Sequence, residues 1–177
     1  MILVLGLGNP EKRYDNTYHN IGFMVMDRLA KKCEFKFSKT YCQASVGEFY
    51  LNDKKILVGK PKTYMNLSGA SAQSFKNKFK LKNHNIFVVV DDIDLPVGTY
   101  RFKTGGSGGT HNGMRSIVHN IGSDFPRIRI GIGKPENNQD LADFVLSKIK
   151  GENADILGKV IDEVVDFLLD KLEECEG

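Results

Sequence analysis

The chain has no tryptophan, only three cysteines and only five prolines in 177 residues. Cys33, Cys42 and Cys175 are far apart, odd in number and without a CxxC spacing. Neither a disulfide framework nor a zinc site is expected from them, and a reducing cytoplasm fits best. The histidines, His19, His84, His111 and His119, have no metal-ligand spacing either. No stretch approaches the roughly 20 apolar residues of a membrane-spanning helix. The opening MILVLGLG lacks a basic region and a small-residue cleavage site, so it reads as a first strand rather than a signal peptide. Internal repeats, low-complexity runs and linker-like stretches are missing as well, which leaves a single domain over residues 1–177.

What is present is ordinary globular composition, with 41% hydrophobic and 27% charged residues. The net charge of +3 conceals an asymmetry. Residues 1–151 hold 23 Lys/Arg against 13 Asp/Glu, whereas residues 152–177 hold 2 against 9. A basic body suits a polyanionic partner, although a solvated lysine-rich surface has the same composition.

Apolar patterning predicts alternating strands and helices. ILVLGL (residues 2–7) and NIFVVVDD (85–92) are continuous apolar runs, as in strands buried on both faces. ASVGEFYL and KILVG flank Asn52-Asp53 and read as a hairpin, and TYRFKTG reads as a shorter strand. RIRIGIG (127–133) alternates basic and apolar residues, which predicts a half-exposed strand. Helical spacing appears over 21–32, from about Leu67, from near Met114, briefly over 139–147, and from about Glu152. In the last of these, Ile156, Leu157, Val160, Ile161, Val164, Phe167 and Leu168 form an apolar stripe, with the acids expected to face water. The fold class that follows is α/β: one mixed, mainly parallel twisted sheet with helices on both faces.

In such a sheet, sites collect beyond the carboxyl ends of strands. Asn9–Asn20, Lys62–Asn66, Asp91–Asp94 and the glycine-rich run ending at Asn112 all follow expected strands, so Asn9, His19, Asn66, Asp91 and Asn112 could converge on one edge. The stretch LGLGNPEKRYDNTYHN first suggests a phosphate loop. A GxGxxG fingerprint would need glycine where Glu11 sits, and Pro10 removes an amide, so nucleotide binding is not expected. His19 is a candidate general base, since an unperturbed imidazole titrates at about 6.5. It could equally cap the helix that follows. A base needs an orienting partner, and Asp91, Asp92 and Asp94 are available. Strand alternation turns Asp91 and Asp92 to opposite faces. With no GxSxG elbow and no cysteine in a suitable setting, water activated directly by histidine is the economical mechanism. The carboxamides of Asn9, Asn66 and Asn112 can bind a peptide group or an oxyanion without titrating, or can serve as turn and cap residues. DDID could be a metal-binding acidic cluster or a simple turn before Leu95-Pro96.

Four blocks, LGLGNPEKRYDNTYHNIG, PKTYMNLSG, VVVDDIDLPVGTYRFKTGGSGGTHNG and RIRIGIGKP, together resemble the bacterial peptidyl-tRNA hydrolase family, in order and spacing from residue 3 to about 148. The resemblance implies a cytoplasmic, monomeric hydrolase of the ester between a peptide and the tRNA 3′ ribose, returning tRNA to translation, with no cofactor, no metal and no membrane. By the same resemblance His19 is the catalytic base and Asp91 its orienting carboxylate. Asn9 and Asn66 hold the peptide, Tyr64 and Met65 line the site, and Asn112 positions water and substrate. Tyr14 meets the tRNA 3′ end, and Lys103 and Arg129 clamp the 5′ phosphate. The chain departs from the family's usual pattern at Glu11 (glycine), Tyr18 (arginine) and Thr110 (absent in the usual GGHNG). A non-catalytic RNA-binding module and a peptidase or small-ester hydrolase are the rival readings; only the enzyme on tRNA predicts salt-sensitive turnover that depends on both His19 and Lys103.

Overall fold

The computed structural model describes residues 1–177. Its strands are β1 (Ile2–Gly6), β2 (Lys39–Tyr41), β3 (Ala44–Leu51), β4 (Lys54–Pro61), β5 (Ile86–Asp92), β6 (Tyr100–Lys103) and β7 (Arg127–Gly131). Its helices are α1 (Ile21–Lys32), α2 (Ser68–Phe79), α3 (Asn112–Ile121), α4 (Leu141–Val145) and α5 (Glu152–Glu174).

One seven-stranded sheet runs in the order β2-β3-β4-β1-β5-β7-β6. Its centre, β4, β1, β5 and β7, is parallel. Antiparallel pairings add β3 and β2 on one side and β6 on the other. The β3–β4 hairpin turns at Asn52 and Asp53, both with positive φ (49° and 66°), a backbone state these short polar side chains tolerate. The three-residue β2 was not evident in the sequence; it is mostly exposed and has no apolar run to mark it.

Alternation along the strands divides the interior into two cores. Ile2 and Val4 of β1 and Phe87 and Val89 of β5 face α1 and α5; Leu3, Leu5, Val88 and Val90 face α2 and α3. The C-terminal helix buries Leu157, Val160, Ile161, Val164 and Leu168 of the expected stripe, and adds Val165 and Leu172. Its acids face water as expected, and two of the exposed ones, Asp162 and Asp166, pair with Arg28 and Lys32 of α1.

Two close approaches position the site. A side chain at Gly22 in α1 would lie 2.5 Å from the Val89 carbonyl oxygen, so only glycine lets the helix sit this close to β5. Across the sheet, a Cβ at Gly69 would lie 2.1 Å from the Ser116 carbonyl oxygen, and the Gly69 N–H donates to Ser116 Oγ (2.9 Å). That contact locks α2 to α3 and brings their N-terminal ends together. Because α1 leaves β1 toward one face while α3 lies on the other, a crevice opens beyond the ends of β1 and β5.

β7 differs from the half-exposed strand its alternation suggested. Arg127, Ile128, Ile130 and Gly131 are all buried, and Arg127 is only 1% exposed. Pairing with β5 and β6 on either side encloses the strand. The buried guanidinium of Arg127 donates to the carbonyls of Ser107, Ser123 and Phe125 (3.0, 2.6 and 3.3 Å) and stacks over the Phe125 ring.

Candidate active site

A cavity of about 950 Å³ occupies the crevice, and all ten residues singled out from the sequence line it. They arrive on separate segments. Asn9 follows β1, Tyr14 ends a 3-10 turn over Lys12–Tyr14, and His19 is the middle residue of a 3-10 turn over Tyr18–Asn20 that runs into α1. Tyr64 precedes, and Met65 and Asn66 open, a third such turn ahead of α2. Asp91 is the penultimate residue of β5, and Asn112 is the first residue of α3.

His19 Nδ1–H donates to Asp91 Oδ2 at 2.9 Å. Asp92 also lines the cavity, but it takes Arg129 Nη1 at 2.9 Å instead of an imidazole. This selects Asp91 among the three carboxylates. Its other oxygen, Oδ1, accepts from His111 Nε2 at 2.8 Å. Asp91 thus bridges two imidazoles while only 2% exposed. An ionised carboxylate only accepts, so each histidine nitrogen facing it carries hydrogen. For His111 a second contact enforces the same tautomer: its Nδ1 accepts from the Met114 N–H (3.2 Å), capping α3. For His19 the consequence is that Nε2 remains as the free basic nitrogen.

Electrostatics agree with this geometry. Burial pushes the Asp91 carboxyl up, but the two imidazoles outweigh it and hold the group well below the usual carboxylate range. Burial also pulls the His19 imidazole down; the charge and hydrogen bond of Asp91 overcome that, and its pKa lies above the ordinary 6.5. His19, Asp91 and His111 are also close enough to share an ion, with ligand atoms within 4.8 Å of one another. Their facing atoms already bind each other, however. A metal on His111 Nε2 would force a proton onto Nδ1, where the Met114 N–H needs an acceptor.

The carboxamides are held in different ways. Asn20 clamps the Asn9 backbone by two bonds, accepting its N–H at Oδ1 (2.8 Å) and donating from Nδ2 to its carbonyl (2.9 Å). The Asn9 side chain is thereby left to face the cavity. Asn66 and Asn112 are exposed to it from the two helix ends that Gly69 brings together. Met65 is buried beneath them, so close to Gly113 that a Cβ there would lie 2.6 Å from its sulfur.

A cationic end of the same cavity carries Lys103, at the end of β6, together with Arg127 and Arg129 of β7. Arg129 Nε is buried with no hydrogen-bond partner. Leu141, Val145 and Leu146 of the α4 segment add an apolar wall to the same cavity.

Three contributors were not evident in the sequence. His111 lay in a glycine-rich segment with no metal spacing, and its position just ahead of a helix start was the available signal. Asn20 is neighbour to the candidate base, but its clamp on Asn9 depends on a contact eleven residues away. Arg127 read as a surface residue because alternation was the only guide.

A family model described as peptidyl-tRNA hydrolase matches residues 3–175. A peptidyl-tRNA hydrolase of Rickettsia bellii is 45% identical over 184 residues, covering all of this chain and 98% of that protein. One from Clostridium perfringens is 44% identical over 171 residues, covering 96% of this chain and 90% of its own length. Among solved structures, peptidyl-tRNA hydrolase from Acinetobacter baumannii superposes with a TM-score of 0.89 at 32% identity, covering 98% of this chain and 91% of that one. No helix here is long and apolar enough to cross a membrane. With the sequence, the fold and nearly the full length in agreement, the chain belongs to the peptidyl-tRNA hydrolase family.

Proposed function

We propose that this chain is a carboxylic ester hydrolase that cleaves the bond between a peptide, or an N-blocked aminoacyl group, and the 3′ ribose of tRNA, freeing the tRNA for translation. One observation carries the reading of the site: the Asp91 bond to His19 Nδ1 leaves Nε2 as a free base at the cavity.

In the proposed reaction His19 Nε2 takes a proton from water as the water oxygen attacks the ester carbonyl. The tetrahedral intermediate collapses by breaking the bond to the ribose oxygen, and the imidazolium returns its proton to that oxygen. The products are the peptide carboxylate and tRNA with a free 3′-terminal hydroxyl. Asp91 holds the imidazole in the required tautomer and stabilises its charged form. Asn9 and Asn66 grip the peptide groups, Tyr64 and Met65 line their path, and Asn112 orients the water or the developing oxyanion. General-base action contributes about 10²–10⁴-fold and one oxyanion donor about 10²–10³-fold, which suffices for an ester without a covalent intermediate. Tyr14 meets the 3′ end of the tRNA, while Lys103 and Arg129 take its 5′ phosphate. This role agrees with the basic body of the chain. No metal or cofactor takes part. On this reading the enzyme acts as a monomer in the cytoplasm.

Turnover of N-acetyl-aminoacyl-tRNA tests the proposal. His19→Ala is expected to slow it by about 10²-fold or more and to leave tRNA binding unchanged. A rate within about threefold of wild type would rule out His19 as the base.

A further inference from the structure

Tyr18 immediately precedes the histidine of the site, and its surroundings join that histidine to the apolar wall of the cavity. The wall belongs to α4, a helix of five residues with none buried. Helices this short are unstable alone, so what holds α4 over the cleft is tertiary contact. Those contacts converge on the segment ahead of His19. The Tyr18 ring stacks on Phe144 with centroids 4.8 Å apart and planes 25° apart. The Tyr18 N–H donates to the Ser147 carbonyl (3.3 Å), and the Ile149 N–H donates to the Asn16 carbonyl (2.8 Å). Tyr18 is itself fixed: it is 6% exposed, and its Oη accepts from Asn153 Nδ2 (2.9 Å) at the start of α5.

On the cavity side, α4 and the residue after it present Leu141, Val145 and Leu146, and Leu141 and Leu146 remain 41% and 39% exposed. These are apolar side chains facing a cleft that also carries the carboxamides of Asn9, Asn66 and Asn112. An amphipathic ligand fits such walls: its peptide groups on the carboxamides, its side chain on the leucines. We propose that Tyr18 and Phe144 are positioning residues whose stack holds α4 as the wall that receives an apolar side chain of the substrate residue next to the ester. This rests on the functional reading above and adds to it a basis for side-chain preference.

The test is steady-state kinetics on tRNA carrying N-acetyl-leucine or N-acetylglycine. Tyr18→Ala and Phe144→Ala should each raise KM for the leucyl substrate about tenfold, the order of effect expected for an aromatic stack and the contact it positions. Their kcat should stay within about threefold of wild type, and KM for the glycyl substrate within about twofold. The double variant should be no worse than either single one, because both remove the same joint. Tyr18→Phe keeps the stack and should behave like wild type. Phe144 is half-buried in a helix with no buried residue, so its variant keeps the test available even if Tyr18→Ala folds poorly. The inference is overturned if the variants lower kcat and leave KM alone, if both substrates respond equally, or if the two single effects multiply. Failure of the wild-type enzyme to hydrolyse either substrate overturns the functional reading itself, and this inference with it.

Discussion

Replacing Asp91 by asparagine removes one negative charge and keeps the shape of the side chain. In the native site, both oxygens accept, one from His19 Nδ1 at 2.9 Å and one from His111 Nε2 at 2.8 Å. An asparagine can accept at only one end and must donate at the other. His111 cannot change tautomer without losing the α3 cap, because its Nδ1 accepts the Met114 N–H. The asparagine oxygen therefore turns to His111, and its NH₂ faces His19. His19 Nδ1 must then accept, which moves the imidazole proton to Nε2, the atom that has to take a proton from water. The expected loss in kcat is about 10²–10⁴-fold, equivalent to roughly 2.7–5.5 kcal/mol of barrier. KM should change little, since Asp91 is buried beneath the imidazoles. The pH profile supplies a second readout. On the proposed mechanism activity needs unprotonated His19, so the wild-type rate is expected to rise with pH through its elevated pKa. Without the Asp91 charge only burial remains, which disfavours the imidazolium, and the acidic limb of the profile moves to lower pH. Single-turnover rates on N-acetyl-aminoacyl-tRNA between about pH 5 and 9 measure both effects. A variant within about threefold of wild type, or an acidic limb displaced upward, would refute the dyad.

Other consequences can be checked with the same assay. His111→Ala removes the donor to Asp91 Oδ1 but leaves the His19 bond, so kcat should fall by about tenfold, as expected for one hydrogen bond to a charged group. Lys103→Ala should raise KM and flatten the log–log salt dependence of tRNA binding by about one unit of slope, with kcat at saturation unchanged. The stability of the pair has a defined pH window. The His19 pKa is raised, so its contribution is complete below its unfolded value of about 6.5 and is lost as pH rises through the folded value. The Asp91 pKa is lowered, so its contribution is present above 3.8 and is lost only in stronger acid. The difference in urea midpoint between wild type and His19→Gln should therefore be larger at about pH 5.5 than at about pH 8.5.

Local chemistry made much of this protein readable in one dimension. Continuous apolar runs specify β1 and β5 because strands covered on both faces have no polar side to show. The stripe in α5 and the Asn52-Asp53 turn were legible because each depends on neighbouring residues alone. Strand alternation by itself turns Asp91 and Asp92 to different faces, since that rule is geometric. The resemblance of four ordered blocks then carried the family and the candidate residues. Elsewhere, local pattern misled or was silent. RIRIGIG looks half-exposed, yet Arg127 lies under the glycine loop, because hydrogen bonds to the carbonyl of Ser107, twenty residues away, and to those of Ser123 and Phe125 just ahead of it satisfy its guanidinium. The second imidazole on Asp91 stayed hidden, for a contact spanning twenty residues has no signature in spacing. Tyr18, a departure from the family's arginine, packs its ring against Phe144 far along the chain, a contact no local pattern encodes. The sequence by itself determined which elements form, which strand end carries the carboxylate and which family the chain resembles. Only the tertiary structure decided which oxygen meets which imidazole and where α4 lies, because those depend on close approach between segments that local propensity does not encode.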